Sequence, residues 1–284
     1  MRILITGRGT SGSWQIRGEQ LGHALGATVR PRAQNVQGFD AVVIVKRAEQ
    51  HQVDLVHRAG APLIWDVVDA WPQPEGNHWP EGSCKAWLRQ EVRRIRPNAI
   101  VAATQAMAAD CAEFGVPVLA LPHHARPGFT STPMRPMHVL AYEGGTQYIG
   151  GWFTLLEAEC HRRGWVFVVN PAVLRDVDAL VAVRDQDGYA PRMWKSNVKL
   201  ANAQATGTPI VCCREAGYLE TTRGGVLWAD TPSEMRAALD TLSNSVARQQ
   251  LAAELLTWHP SIHTVATTYA NWLKEVVCTT AGNC

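Results

Sequence analysis

Trp194-Lys195-Ser196-Asn197-Val198-Lys199-Leu200-Ala201-Asn202-Ala203-Gln204-Ala205-Thr206-Gly207-Thr208-Pro209-Ile210-Val211 reads as a loop, a helix, a glycine stop and a strand. Ser196 or Asn197 stands where a side-chain oxygen can accept from the first free helix amides, which starts the helix near residue 197. Gly207 ends it, because glycine enters the left-handed turn that closes helices at no steric cost. The apolar run 210–213 then predicts a strand. Glu215-Ala216-Gly217-Tyr218-Leu219-Glu220 follows as a small-residue loop, and Gly224-Gly225-Val226-Leu227-Trp228 as a glycine-led short strand. Short apolar runs separated by helices are what a parallel sheet covered on both faces looks like in sequence.

The same alternation extends to both ends of the chain. Strands are predicted at residues 2–6, 41–46, 63–68, 99–103 and 116–121, with helices near 14–25, 50–59, 85–94 and 105–114. In the second half, strands are predicted at 139–142, 166–170, 179–183 and 226–228. Helices there fall near 151–163, 233–243, 247–256 and 264–276. Between the halves, residues 122–136 hold four prolines and break the pattern, as an interdomain connection does. The reading is α/β: two Rossmann-like, doubly wound parallel-sheet domains facing a cleft. The first spans residues 1–122, a linker 123–137 and the second 138–262. Residues 263–284 form a terminal helix that crosses back to brace the first domain with Tyr269 and Trp272.

Bulk properties fit this plan. The chain has 284 residues and a hydrophobic fraction of 46%, enough for two modest cores. Charged residues are 18% and the net charge is +2, which neither demands nor excludes nucleic acid. Seven scattered cysteines without a CxxC pair fit reduced thiols better than a disulfide frame or zinc site. The chain opens on a core strand, and no apolar run nears the roughly 20 residues that span a bilayer. The expectation is a soluble, cytoplasmic protein without membrane contact.

Two motifs in the first half carry chemistry. Gly7-Arg8-Gly9-Thr10-Ser11-Gly12 is a GxGxxG between a strand and a helix, where glycine lets backbone approach phosphate. The acidic residue expected about 20 positions on is missing. Thr28-Val29-Arg30-Pro31-Arg32 is basic instead, which suits an NADP phosphate, so an NADP-dependent oxidoreductase is the rival enzyme class. Otherwise Arg8, Gly9, Ser11 and Arg17 belong to the acceptor side of a cleft, with His123. Asp66-Val67-Val68-Asp69-Ala70-Trp71 ends a strand, the end where open α/β sheets bind ligands. Asp69 is the candidate catalytic base, since a carboxylate beside an apolar ring in a cleft has a raised pKa.

The stretch 194–228 resembles the donor half of GT-B glycosyltransferases. That resemblance rests on a K-hydrophobic-x-x-A-x-A-x-G-x-P-V helix and strand, a small-residue loop, a glutamate and a glycine-ended strand. It implies transfer of a sugar from a nucleotide sugar, a UDP-sugar by default, to a hydroxyl acceptor. Lys195, Ser196, Asn197 and Lys199 then meet the charge of the departing diphosphate. By the same resemblance Glu220 binds the ribose hydroxyls, with Glu215, Gly217 and Tyr218 beside it. Gly144 and Gly145 form the glycine loop near the diphosphate. The basic residues many relatives carry in that loop are missing, and Arg184 is the expected substitute.

No Asp-x-Asp is present, so no metal ligands are assigned and chemistry independent of metal is expected, with no cofactor beyond the nucleotide-sugar co-substrate. The short length resembles compact phage-type enzymes, some of which decorate hydroxymethylated DNA bases, in which case the host cytoplasm is the compartment. Arg89, Arg93, Arg94 and Arg96 would then face a phosphate backbone, or else a solvated helix face. A nucleotide- or sugar-binding module without turnover is the reading outside catalysis.

Overall fold

The structure, a computed structural model, describes residues 1–69, 80–185 and 188–281. Its strands are β1 (Ile3–Gly7), β2 (Thr28–Val29), β3 (Ala41–Val45), β4 (Leu63–Asp66), β5 (Ala99–Ala102), β6 (Val118–Ala120), β7 (Val139–Tyr142), β8 (Val166–Val169), β9 (Ala179–Ala182), β10 (Ile210–Cys212) and β11 (Val226–Trp228). The helices are α1 (Leu21–Ala24), α2 (Gln50–Ala59), α3 (Glu81–Ile95), α4 (Gln105–Cys111), α5 (Trp152–Arg163), α6 (Tyr189–Met193), α7 (Val198–Thr206), α8 (Ala216–Thr221), α9 (Pro232–Ser243), α10 (Ser245–Leu255) and α11 (Ile262–Ala281). None of the described helices is long and apolar enough to cross a membrane.

The chain divides into two compact units. The first gathers Met1–His123, Gly188–Ser196 and Ser261–Cys284; the second gathers His124–Asp187 and Asn197–Pro260. In the first, six parallel strands run in the order β2-β1-β3-β4-β5-β6. Every residue of β1, β3, β4 and β5 is buried, so the strands read as unbroken apolar runs rather than alternating ones. Leu4, Val42, Ile44 and Trp65 fill one face, and Ile5, Val43, Ile64 and Val101 the other. On the second face α11 packs through Val265, Tyr269, Leu273 and Val276.

In the second unit five parallel strands run β11-β10-β9-β7-β8. Both orders reverse direction beside the first strand of the unit, between β1 and β3 and between β7 and β9. Such a switch point opens a crevice at the carboxyl ends of the strands, where α/β sheets bind ligands. Residues 124–136, expected as a linker, hydrogen-bond within this unit: the Arg126 amide donates to Asn202 Oδ1 (3.0 Å) and the Thr132 amide to the Thr206 carbonyl (2.8 Å).

Some expectations need correcting. Trp194, Lys195 and Ser196 were read with the second half but pack in the first unit. The buried Trp194 indole donates to Asp110 (2.8 Å), and Thr104 Oγ1 donates to the Met193 carbonyl (2.7 Å). The helix predicted at 14–25 is two pieces, a π-helical turn at Trp14–Gln20 and then α1. Gly18 explains the wide turn: a Cβ there would lie 2.5 Å from the Trp14 ring, so the Trp14 indole occupies the space of a normal side chain.

Candidate functional site

The switch point of the second unit gathers charged and phenolic side chains from four elements. Tyr142 and Glu143 come from the end of β7, Arg184 follows β9, Glu215 follows β10, and Lys199 lies on the first turn of α7. Gly144 takes φ +142°, and Asn170 clamps it, its Oδ1 accepting from the Gly144 amide (2.7 Å) and its Nδ2 donating to the Gly144 carbonyl (2.9 Å). That bend exposes backbone at the loop after β7, a place where a side chain would restrict the turn. Beside it, Asn202 Nδ2 donates to Glu143 (3.2 Å), which Arg126 also approaches (3.5 Å).

Charge in this cluster is unevenly matched. Arg184 Nε lies 2.7 Å from Glu215 Oε1, a buried pair. Burial opposes the Arg184 charge, but Glu215 overcomes it and holds the guanidinium ionised. Lys199 has no such carboxylate. Its Nζ stands 3.9 Å from the centre of the Tyr142 ring and has no hydrogen-bond partner among the described residues. Burial first, and the Arg184 charge second, bring its pKa from 10.5 down to about 7. Tyr142 Oη, Tyr218 Oη and Glu215 Oε2 are likewise buried without a hydrogen-bond partner. Burial pushes both phenols above their ordinary pKa, so they remain neutral donors. Unsatisfied buried polar atoms are rare in folded proteins, and four in one cluster mark a place built for another group.

A second polar centre lies in the first unit, at the ends of β3 and β4. Asp69 Oδ1 is 2.6 Å from Lys46 Nζ, and its Oδ2 is 3.4 Å from Lys195 Nζ. Lys46 and Val68 both adopt left-handed backbone, at φ 65° and 68°. For β-branched Val68 this is a costly conformation, the kind that persists where neighbours over-determine it. Asp66 Oδ1 accepts from the Val68 amide (3.1 Å) and the Lys46 amide donates to the Asp66 carbonyl (2.7 Å). Burial works to raise the Asp69 pKa, but Lys195 and Lys46, helped by His123, reverse it and hold the carboxyl well below the usual carboxylate range. The raised pKa expected for Asp69 is therefore wrong: two lysines brought from residues 46 and 195 hold the carboxylate ionised. Ala70 and Trp71 of that motif lie outside the described residues.

The other predicted residues distribute as follows. Arg17 is 1% exposed, its Nε 3.7 Å from Asp66 and its Nη2 donating to the Leu121 carbonyl, so it braces the core of the first unit. Burial raises the Asp66 pKa, with Arg17 opposing. Arg8 is exposed and pairs with Glu49 (2.8 Å). Ser11 Oγ accepts from the Trp14 amide (3.2 Å). Gly9, at φ +84°, faces Pro31, whose Cβ would be 2.5 Å from an added Cβ; Gly7 faces Trp14 in the same way at 3.2 Å. Packing thus accounts for Gly7 and Gly9 of the GxGxxG, whereas a Cβ at Gly12 would meet nothing within 4 Å. His123 is buried beside Asp69.

In the second unit, Gly145 precedes the short turn Thr146–Tyr148 and Gly217 is buried in α8. Asn197 occupies the N-cap of α7, though its side chain does not close on the helix amides; Ser196 is half-buried just before it. Glu215 is the carboxylate that meets Arg184, and Glu220 lies on the last turn of α8. Lys46 was missed as a site residue. Its signal was there: a charged residue directly after the all-apolar strand Ala41-Val42-Val43-Ile44-Val45. No group of three or more His, Cys, Asp or Glu side chains among the described residues is placed to hold a metal ion.

No protein-family model matches the sequence, and no curated protein matches it. Solved structures match its fold. The crystal structure of Anabaena HepE with UDP and glucose is 10% identical, with 97% of this chain aligned to 100% of that one at a TM-score of 0.67. Sucrose-phosphate synthase from Thermosynechococcus elongatus is 9% identical over 98% of this chain and 100% of its own, at 0.65. A glycosyltransferase from Rickettsia africae is 9% identical over 97% and 98%, at 0.63. The two parallel sheets and their helices are therefore the fold of GT-B glycosyltransferases.

Proposed function

We propose that the chain is a glycosyltransferase whose second unit binds a nucleotide sugar, a UDP-sugar first of all, and whose first unit receives a hydroxyl acceptor. The observation that carries this reading is the buried Lys199 ammonium, unpartnered among the described residues at the switch point of the second sheet. A diphosphate supplies the anion this lysine lacks, and Arg184, two neutral phenols and the start of α7 add donors around it. Several structural neighbours support a uridine nucleotide: HepE was solved with UDP and with UDP-glucose, and a trehalose-phosphate synthase of this fold is UDP-forming.

In the reaction, the bond from the sugar's anomeric carbon to the diphosphate oxygen breaks and one to the acceptor oxygen forms. Lys199 and Arg184 take up the charge that develops on the leaving diphosphate. Asp69, held anionic by Lys46 and Lys195, is a weak base but a strong hydrogen-bond acceptor, and it orients the acceptor hydroxyl. Glu220 binds the ribose hydroxyls, with Glu215 the weaker candidate because Arg184 already holds it, and their glutamine variants separate the two.

For the acceptor, a hydroxymethylated DNA base is the narrower version of the proposal. The arginine run gives it little support, since Arg89 pairs with Glu113 (3.1 Å) and Arg94 with Glu91 (2.5 Å). Titration with UDP, UDP-glucose and NADPH, followed by calorimetry, tests the donor: UDP should bind and NADPH should not. Binding that survives Lys199→Ala unchanged overturns the donor assignment. Release of UDP on adding an acceptor separates an enzyme from a module that only binds.

A further inference from the structure

We propose that Tyr142 is a positioning residue of this donor site: its ring face seats the Lys199 ammonium where the diphosphate will meet it. The proposal rests on the donor reading above and adds to it a residue and a physical means. Lys199 Nζ stands 3.9 Å from the centroid of the Tyr142 ring, well inside the roughly 6 Å over which a ring face attracts a cation. Tyr142 is fully buried and belongs to β7, whose backbone is paired on both sides, so the ring is held by the sheet. Lys199 is fixed by α7. A flexible lysine is thereby held at one point of the switch-point crevice without a carboxylate that would compete with phosphate.

The elements around the pair carry other titratable groups. The end of β7 brings Tyr142 and Glu143, the end of β9 brings Arg184, and β10 with α8 brings Cys212, Cys213, Glu215 and Tyr218. Glu143, Glu215 and Cys213 favour the protonated lysine, while Arg184 and burial oppose it. The balance leaves Lys199 near neutrality in its proton affinity, at about 7. With the ring supporting the charge and no carboxylate pairing it, nucleotide binding above that pH should draw one proton from solvent onto Lys199. No covalent step is involved.

The test compares wild type, Tyr142→Phe and Tyr142→Leu, each confirmed folded by circular dichroism and thermal melting. First, the Lys199 side-chain carbon signal is followed by NMR against pH without ligand, assigned by its loss in Lys199→Arg. Phenylalanine keeps the ring face and should leave the midpoint in place. Leucine should move it down by roughly half a unit to one unit, the size of a desolvated cation–ring contact. Second, UDP calorimetry at pH 8 in buffers of different ionisation heat should show proton uptake in wild type and Tyr142→Phe. Tyr142→Leu should bind roughly three- to tenfold more weakly than Tyr142→Phe, which also lacks the phenol hydroxyl but keeps the ring face.

A folded Tyr142→Leu variant with the wild-type midpoint and wild-type UDP affinity overturns the positioning role. A moved midpoint in a protein that does not bind UDP at all confirms the ring contact while removing the donor reading, and with it the diphosphate role. The two failures are distinct.

Discussion

Replacing Lys199 by methionine should make this protein more stable and less able to hold a nucleotide. Lys199 is 7% exposed, and its Nζ has no hydrogen-bond partner among the described residues. Its pKa falls from an ordinary 10.5 to about 7 in the fold, through burial and then Arg184. A tenfold change in proton affinity is ~1.4 kcal/mol, so the interval amounts to ~5 kcal/mol as a ceiling on the cost of carrying the charge. Relaxation and water entry shrink such penalties, which brings the expected gain to about 2–4 kcal/mol.

The sign follows from proton binding. The unfolded chain keeps the lysine proton up to 10.5 and the folded chain only to about 7. The penalty is therefore complete below pH 7 and fades as pH rises toward 10.5. Methionine keeps the buried stem and removes the ammonium. Urea unfolding of both proteins at pH 6.5, 8 and 9.5 should show the variant ahead, by less at each step. UDP affinity should drop about 10- to 100-fold, the value of a charge-assisted hydrogen bond. A variant that is less stable at pH 6.5, or whose advantage ignores pH, refutes the reasoning.

Three further outcomes are expected. Asp69→Asn should cost about 1–3 kcal/mol, because it leaves Lys46 and Lys195 together without their shared anion. Since the Asp69 carboxyl titrates below its ordinary 3.8, its stabilisation is present above that pH and lost as pH falls, and the variant's stability curve should be flatter on the acid side. Gly9→Ala should cost about 1–3 kcal/mol in unfolding experiments, since φ is +84° and Pro31 fills the Cβ position, whereas Gly12→Ala, which meets nothing within 4 Å, should be close to neutral. Thr231→Ala should lower the stability of the second unit by about 1 kcal/mol, as it opens the capping box Thr231 makes with Glu234 at the start of α9.

Much of the fold was readable because its central strands are buried on both faces and its edge strands are short apolar runs. The runs at 139–142 and 226–228 became β7 and β11 with the same ends, and Gly207 stops α7 in left-handed backbone as its residue type requires. What could not be read depends on partners distant in sequence. Trp194 sits three residues before Asn197, yet its indole is met by Asp110, and the Trp87 ring stands 6.3 Å away. No local periodicity records that choice. The same holds for Asp69, whose ionisation is decided by lysines 23 residues before it and 126 after it in the chain. That Arg184, Lys199 and Glu215 come together was legible for a different reason: each lies just past a strand or opens a helix, and in a parallel sheet those positions share one edge.

Topology alone does not say which sheet receives the diphosphate, since each has a switch point at the carboxyl ends of its strands. Charge breaks the tie. In the first unit, a phosphate near Lys46 or Lys195 meets the Asp69 carboxylate already lodged between them. Each lysine attracts a phosphate about as strongly as Asp69 repels it, so a phosphate gains there only by displacing the carboxylate from lysines that already hold it. In the second unit, Glu215 is committed to Arg184, and the lysine beside them sits over a ring instead of an acid. A phosphate there displaces no carboxylate and removes the penalty of a buried, uncompensated ammonium. The Asp69 carboxylate that a phosphate would have to displace can instead accept from a hydroxyl without leaving its lysines. On the proposed reading the carboxylates therefore sort the reactants, the diphosphate to the lysine that lacks one and the acceptor hydroxyl to Asp69.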